Sequence, residues 1–232
     1  SGNLHQIYLG NRFTSDLFLI RLNIDHNIDF NARKQWLHDA LLTLGESLVL
    51  AASRVLDIDA QELTAGYRIV HNEQDDSYVD IYLFDTLSGG AGYSYVAGER
   101  IKEIIEETFD VLGHCTNNCE SSCYKCMRNY QNQMKHEHLN RPLGLDLLTY
   151  LVEGKFTKYT LEEQIQYLKP VKAAYDLHHG KDYARMVKEN NNVFIKLIDG
   201  KTIGLKNNIE KKISNNNIHY YSPYEIKFDL PN

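Results

Sequence analysis

Cysteine is missing from nearly all of this 232-residue chain: none occurs before residue 115 and none after residue 126. That excludes a disulfide framework spread through the fold, the usual device of small secreted domains. Long apolar runs are missing as well. No stretch offers roughly 18 consecutive apolar residues, so a membrane span is not expected. Positive charge is scarce, with 25 Lys and Arg against 31 Asp and Glu and a net charge of −6. A chain whose whole surface clamps nucleic acid is thereby excluded, since phosphate binding wants a positive field; a local basic patch is not. Neither a phosphate-binding G-x-x-x-x-G-K-[ST] motif nor any other helicase motor motif is found, and no serine–histidine pairing has local support. The opening SGNLHQ is polar and unlike a signal peptide. Ser1 and Gly2 resemble a tag scar without an initiator methionine, so the expectation is a piece of a longer cytoplasmic protein.

What is present suits an ordinary globular core: 43 % hydrophobic and 11 % aromatic residues, sixteen of them tyrosine. TSDLFLIRLNID reads as a strand. Trp36, Leu37, Leu41, Leu44, Leu48 and Val55 recur at helical spacing and predict a helix of about 25 residues. Asp59 and Glu62 have capping-box spacing. GYRIVH and YVDIYLFD predict an antiparallel hairpin over 66–85, with Val79, Ile81 and Leu83 on one face and Tyr78, Tyr82 and Phe84 on the other. ERIKEIIEETFDVLG is an amphipathic helix. NRPLGLDLLTYLVEG is another, with Asn140 as N-cap and Gly154 as C-cap. Beyond residue 155 the character changes. Thr160 and Glu163 form a capping box, Asp199-Gly200 marks a tight hairpin, NNIEKKI reads as a short helix and YEIKFDL as a final strand. The expected fold is α+β: an antiparallel sheet packed with helices in residues 1–155, and a small α/β appendage in 156–232.

All four cysteines, Cys115, Cys119, Cys123 and Cys126, fall within twelve residues as C-x3-C-x3-C-x2-C. Four thiolates so placed can converge on one zinc ion at about 2.3 Å from each sulfur. The segment is too short and polar to bury a core, so the metal would supply its folding free energy. A closed four-cysteine iron–sulfur cluster is the main rival. The last three cysteines share the spacing of radical-SAM loops, but Cys115 supplies a fourth ligand and the strand–helix alternation of that barrel is missing. Disulfides are disfavoured in a reducing compartment. A zinc ion held by four thiolates has no open position, which makes the site structural rather than catalytic.

Between Tyr124 and Arg141, the cations Lys125, Arg128, Lys135 and Arg141 face one anion, Glu137, a local balance of +4 − 1 = +3 in an acidic chain. With Tyr124 and Tyr130 interleaved, and with His136, this segment has the makings of a nucleic-acid contact: cations meet phosphates and rings stack on unpaired bases. The competing reading has Arg128 and Arg141 bracing the knuckle through carboxylates or helix-end carbonyls, with the tyrosines in the core. His136 and His138 suggest a weak second metal site, or a hydrogen bond from His136 toward the thiolates. The GGAG turn at 89–92 permits tight packing, or a phosphate contact at a helix N-terminus. Asp80 and Asp85 are the residues on which a metal-dependent nuclease would have to be built.

FDTLSGGAGY, then the cysteine cluster running into CYKCMRNYQNQ, then HEHLNRPLGLDLL, in this order, resemble the MrfA-type zinc-binding (MZB) domain. That domain lies near the C-terminus of certain superfamily 2 helicases and also occurs in DrmB of the DISARM phage-defence system. ARKQWLHDALLTLGESLVLAASRVLDID is similar to the helix preceding the hairpin in many members. The resemblance covers roughly residues 12–153 and leaves residues 156–232 outside it. It implies a non-catalytic accessory domain of a DNA helicase in phage defence or DNA repair. It further implies one structural Zn2+ on the four cysteines, with DNA and a helicase motor, on the same or a partner chain, as partners. A protein-interaction scaffold docking a helicase subunit is the alternative.

Overall fold

The computed structural model describes residues 12–228 apart from 25, 31, 32, 71–76, 213 and 216. Ser1, Gly2 and most of the hairpin's polar connection therefore lie outside the described residues. Strict alternation makes β1 (Leu17–Asn23) a half-buried strand: Phe18, Ile20 and Leu22 turn inward while Leu17, Leu19, Arg21 and Asn23 face out. It pairs antiparallel with β3 (Tyr78–Asp85), which pairs on its other edge with β2 (Leu63–Val70), for the order β1-β3-β2. Val79, Ile81 and Leu83 are buried, as the alternation predicts, on the face that the helices cover.

The covering helix is α1 (Gln35–Leu56), whose Trp36, Leu37, Leu41, Leu44 and Leu48 are all buried. Gly45 lets it approach closely: a Cβ there would stand 3.1 Å from the Cβ of Ala65 on β2. Asp59 caps a single 3-10 turn, Ala60–Glu62, by accepting from the Gln61 N–H, and the chain enters β2 at once. After β3 come α2 (Tyr93–Glu99), α3 (Ile101–Gly113) and, past the cysteine loop, α4 (Arg141–Glu153). The sequence reading missed α2, a short helix separated from α3 at Arg100. Asn140 and Gly154 cap α4 as expected, the Asn140 carboxamide accepting from the Leu143 N–H and Gly154 turning left-handed at φ 66°.

The C-terminal part carries a second core. Leu168 and Val171 of α5 (Leu161–His179) pack against Ile195 and Ile203 of a sheet ordered β4-β5-β6-β7. Its strands are β4 (Ala184–Glu189), β5 (Asn192–Leu197), β6 (Thr202–Leu205) and β7 (Ile218–Tyr221), the last pairing parallel to β6. Thr160 and Glu163 form the expected capping box, and Gly200 supplies the positive φ of the β5–β6 turn.

Two expectations fail here. YEIKFDL is not a strand over its described residues: α6 (Pro223–Phe228) occupies them, because Ser222 and Glu225 form a capping box, each side chain accepting from the other's backbone N–H. NNIEKKI is not a helix over its described residues. Ile209 is drawn into the first core, and Glu210 forms a bridge with Ile28. Tyr224 of α6 also joins the first core, and its hydroxyl donates to Asp39 Oδ2 at 2.8 Å.

Candidate metal centre and its basic rim

α3 delivers the chain to Cys115 and α4 carries it away after Arg141, so two core-anchored helices hold the ends of the cysteine loop. Met127 and Leu139 are buried in the first core and fix the loop between them. Within it, the Asn118 N–H returns to the Cys115 carbonyl at 2.9 Å, with Asn118 in the left-handed region (φ 46°) that asparagine tolerates. A second turn directs the N–H groups of Cys126, Met127 and Arg128 at the Cys123 carbonyl.

These two turns bring the sulfurs together. Sγ of Cys115 and Cys123 are 3.6 Å apart, and Cys119–Cys126 and Cys123–Cys126 are each 3.8 Å apart. All four sulfurs lie within 4.8 Å of one another. A tetrahedral ion about 2.3 Å from each thiolate requires sulfur separations of about 3.8 Å, so the four cysteines are positioned to hold one zinc. N–H donors tune the thiols. Backbone N–H groups of Cys119 and Asn117 bring Cys115 down to about 6, while burial pushes Cys119 up to about 12 and Cys126 upward. Zinc uptake by such a set displaces protons. Among the described residues no second cluster of metal-ligating side chains accompanies it.

The segment beyond the thiols divides by direction. Arg141 points inward: it is buried, and donates from Nη1 to the Leu112 carbonyl in the last turn of α3 (2.6 Å) and from Nη2 to the Cys119 carbonyl (3.1 Å). Arg128 is half-buried, donating to Ser122 Oγ and the His136 carbonyl. Lys135 meets Glu46 at 2.6 Å. His136 does not reach the thiolates; its Nε2 lies 3.0 Å from Asn132 Oδ1 and 3.1 Å from the Asn129 carbonyl. His138 turns elsewhere, to Asp39 at 3.0 Å, so the two histidines share no site. Tyr124, Lys125 and Tyr130 face solvent, with 72 % of Tyr124 and 77 % of Tyr130 exposed. The tyrosines are thus not core, and the Tyr124 and His136 rings stand perpendicular with centroids 5.4 Å apart.

The other residues singled out by sequence have internal partners. Asp80 accepts from both Arg21 and Arg68, and these hydrogen bonds, Arg21's foremost, hold its carboxyl down at about 2. Asp85 accepts from the N–H groups of Ala91, Tyr93 and Ser94. Burial raises its pKa, yet these bonds outweigh it and leave the carboxyl below its ordinary range. One amide of the GGAG turn and two at the start of α2 therefore hold the protein's own carboxylate. Sequence reasoning had no signal for Arg21 or Arg68 as partners of Asp80, since that contact depends on strand register.

Residues 44–127 match the family model described as the MrfA Zn-binding domain, a span that includes all four cysteines. The chain is 35 % identical over 185 residues to Druantia protein DruE of Escherichia coli (strain UMEA 4076-1), covering 76 % of this chain and 10 % of that protein. It thus spans about a tenth of the length of the relative it matches. Two crystal structures of the DUF1998 helicase MrfA are similar. One, bound to DNA, has 21 % identity and a TM-score of 0.39 over 52 % of this chain and 15 % of that one. The other, bound to DNA and AMPPNP, has 17 % identity and a TM-score of 0.38 over 56 % and 15 %.

Proposed function

We propose that the chain, whose residues 44–127 match the model of the MrfA Zn-binding domain, is a non-catalytic accessory module of a DNA helicase in phage defence or DNA repair. In this reading Cys115, Cys119, Cys123 and Cys126 hold one structural zinc, and the rim of the knuckle contacts DNA. Zinc supplies no chemistry beyond cross-linking the loop, since four thiolates leave no open position. Residues 1–155 form the zinc-binding unit and 156–232 the appendage, and the protein works in the cytoplasm, where the thiols stay reduced.

The observation that carries this reading is the pair of solvent-facing rings, Tyr124 and Tyr130, which precede and follow exposed Lys125 in the chain. Rings of this kind stack on unpaired bases, and lysine meets the phosphate between them. Arg128, Lys135 and His136 flank them, each partly exposed and each held by an internal partner. Arg141 contributes from within, tying Cys119 to α3. A salt titration of oligonucleotide binding tests this: affinity falls steeply with salt, and Lys125→Ala reduces the slope by about one. No binding at about 50 mM salt ends the reading.

A second reading, a scaffold that docks a helicase subunit, draws on the net charge of −6 and on the internal pairing of Arg128 and Lys135. Size-exclusion mixing with the motor fragment separates the two, because a DNA module has no need to co-elute. The nuclease reading has lost its support, because Asp80 and Asp85 are both engaged within the fold.

A further inference from the structure

Among the described residues, helices pack on one face of the three-stranded sheet, and the residues of its other face come in four cross-strand rows. Leu17, Phe84 and Thr64 form the first, and Leu19, Tyr82 and Gly66 the second. Arg21, Asp80 and Arg68 form the third, and Asn23, Tyr78 and Val70 the last. Apolar side chains stay open to solvent here, Leu17 and Leu19 among them, and Phe13 adds its ring beside Phe84 at 5.8 Å.

Two features argue for what this face takes. The first is how Tyr82 lies. A Cβ at Gly66 would fall 2.5 Å from the Tyr82 ring, so the ring reaches over the neighbouring strand where a side chain is missing. Tyr82 is partly exposed there, and no side chain at Gly66 competes with a stacking base for its ring. The second is charge. Arg21 and Arg68 stand on the outer strands, about 10 Å apart across two strand spacings. Their side chains are 48 % and 57 % exposed, and they share the single buried carboxylate of Asp80. The row therefore carries a net charge of +1 in a chain of −6. Arg21 covers the Tyr78 ring at 4.0 Å, whereas Phe84 is flanked by the tilted rings of Phe13 and Tyr82, an aromatic group beside which a base can stack.

We infer that this uncovered sheet face is a second binding surface for single-stranded nucleic acid, with bases on Tyr82 and Phe84 and phosphates on Arg21 and Arg68. The ligand class rests on the DNA reading of the knuckle, but the surface is separate from it. Photo-crosslinking the zinc-loaded chain to a 5-bromouracil-substituted single strand, followed by peptide mapping, tests both together. Adducts at residues 78–84 are expected in addition to those at Tyr124 and Tyr130. Adducts at the knuckle alone overturn the sheet inference and keep the DNA reading; adducts on the sheet alone do the reverse; none at either overturns both. A variant supplies the second test. Leu19 is exposed, so Leu19→Glu leaves folding and zinc content intact and places an anion beside Tyr82. It should weaken single-strand binding about tenfold, the equivalent of one lost stacking contact. Unchanged affinity in that variant overturns the inference.

Discussion

Arg141 illustrates how one side chain joins a metal loop to a helical core. Its guanidinium gathers the Leu112 carbonyl, left open at the C-terminal end of α3, and the Cys119 carbonyl beside a thiolate. Removing it strands two buried acceptors at a cost of about 1–3 kcal/mol each. Arg141→Ala should therefore lower stability by about 2–4 kcal/mol in urea denaturation. It should also release zinc more readily to a chelator, while the salt slope of DNA binding stays unchanged. Asp80 gives a pH prediction. Its folded pKa, about 2, lies below the ordinary carboxylate value, so the stability it contributes is fully present above about pH 4 and is lost as pH falls toward 2. Melting curves of wild type and Asp80→Asn should converge across that window, with zinc loss cancelling because both chains share it. Such roles are poorly legible in sequence. Arginine among cysteines reads equally as a phosphate contact or a brace, and only the burial of Arg141 against the exposure of Lys125 separates them.

Elements with strong local signals were readable and those settled by distant contacts were not. The cores of α1, α3 and α4 follow from apolar spacing, and the caps at Asn140, Gly154 and Thr160 from residue type alone. The α6 segment alternates like a strand, yet Ser222 and Glu225 start a helix, a local capping signal that the alternation masked. NNIEKKI has helical composition, but burying Ile209 in the first core dictates its path instead. Close helix packing supplies an element-scale prediction. At Gly144 on α4 a Cβ would stand 2.8 Å from Thr43 Cγ2 on α1 and 3.0 Å from Leu112 Cδ2 on α3. Gly144→Val should therefore cost about 1–3 kcal/mol by overpacking, read as a lower melting temperature.

Across the whole molecule, α1 is the shared support of sheet, knuckle and C-terminal segment. Its Asp39 accepts from the Tyr224 hydroxyl of α6 and meets His138 just past the knuckle, a junction of residues up to 185 positions apart. Sequence offers no sign of so distant a contact, whereas the metal centre is local and its spacing was plain. Tyr224→Phe removes one hydrogen bond to a buried carboxylate and should cost about 1–3 kcal/mol. Hydrogen exchange in α6 should then rise before that in α4. The central claim, a zinc-held knuckle on a helical core, is tested most directly by elemental analysis of the purified chain with a visible spectrum of the same sample. One zinc per chain and no colour is the predicted result. Iron with absorption near roughly 400 nm, or no metal at all, would contradict it.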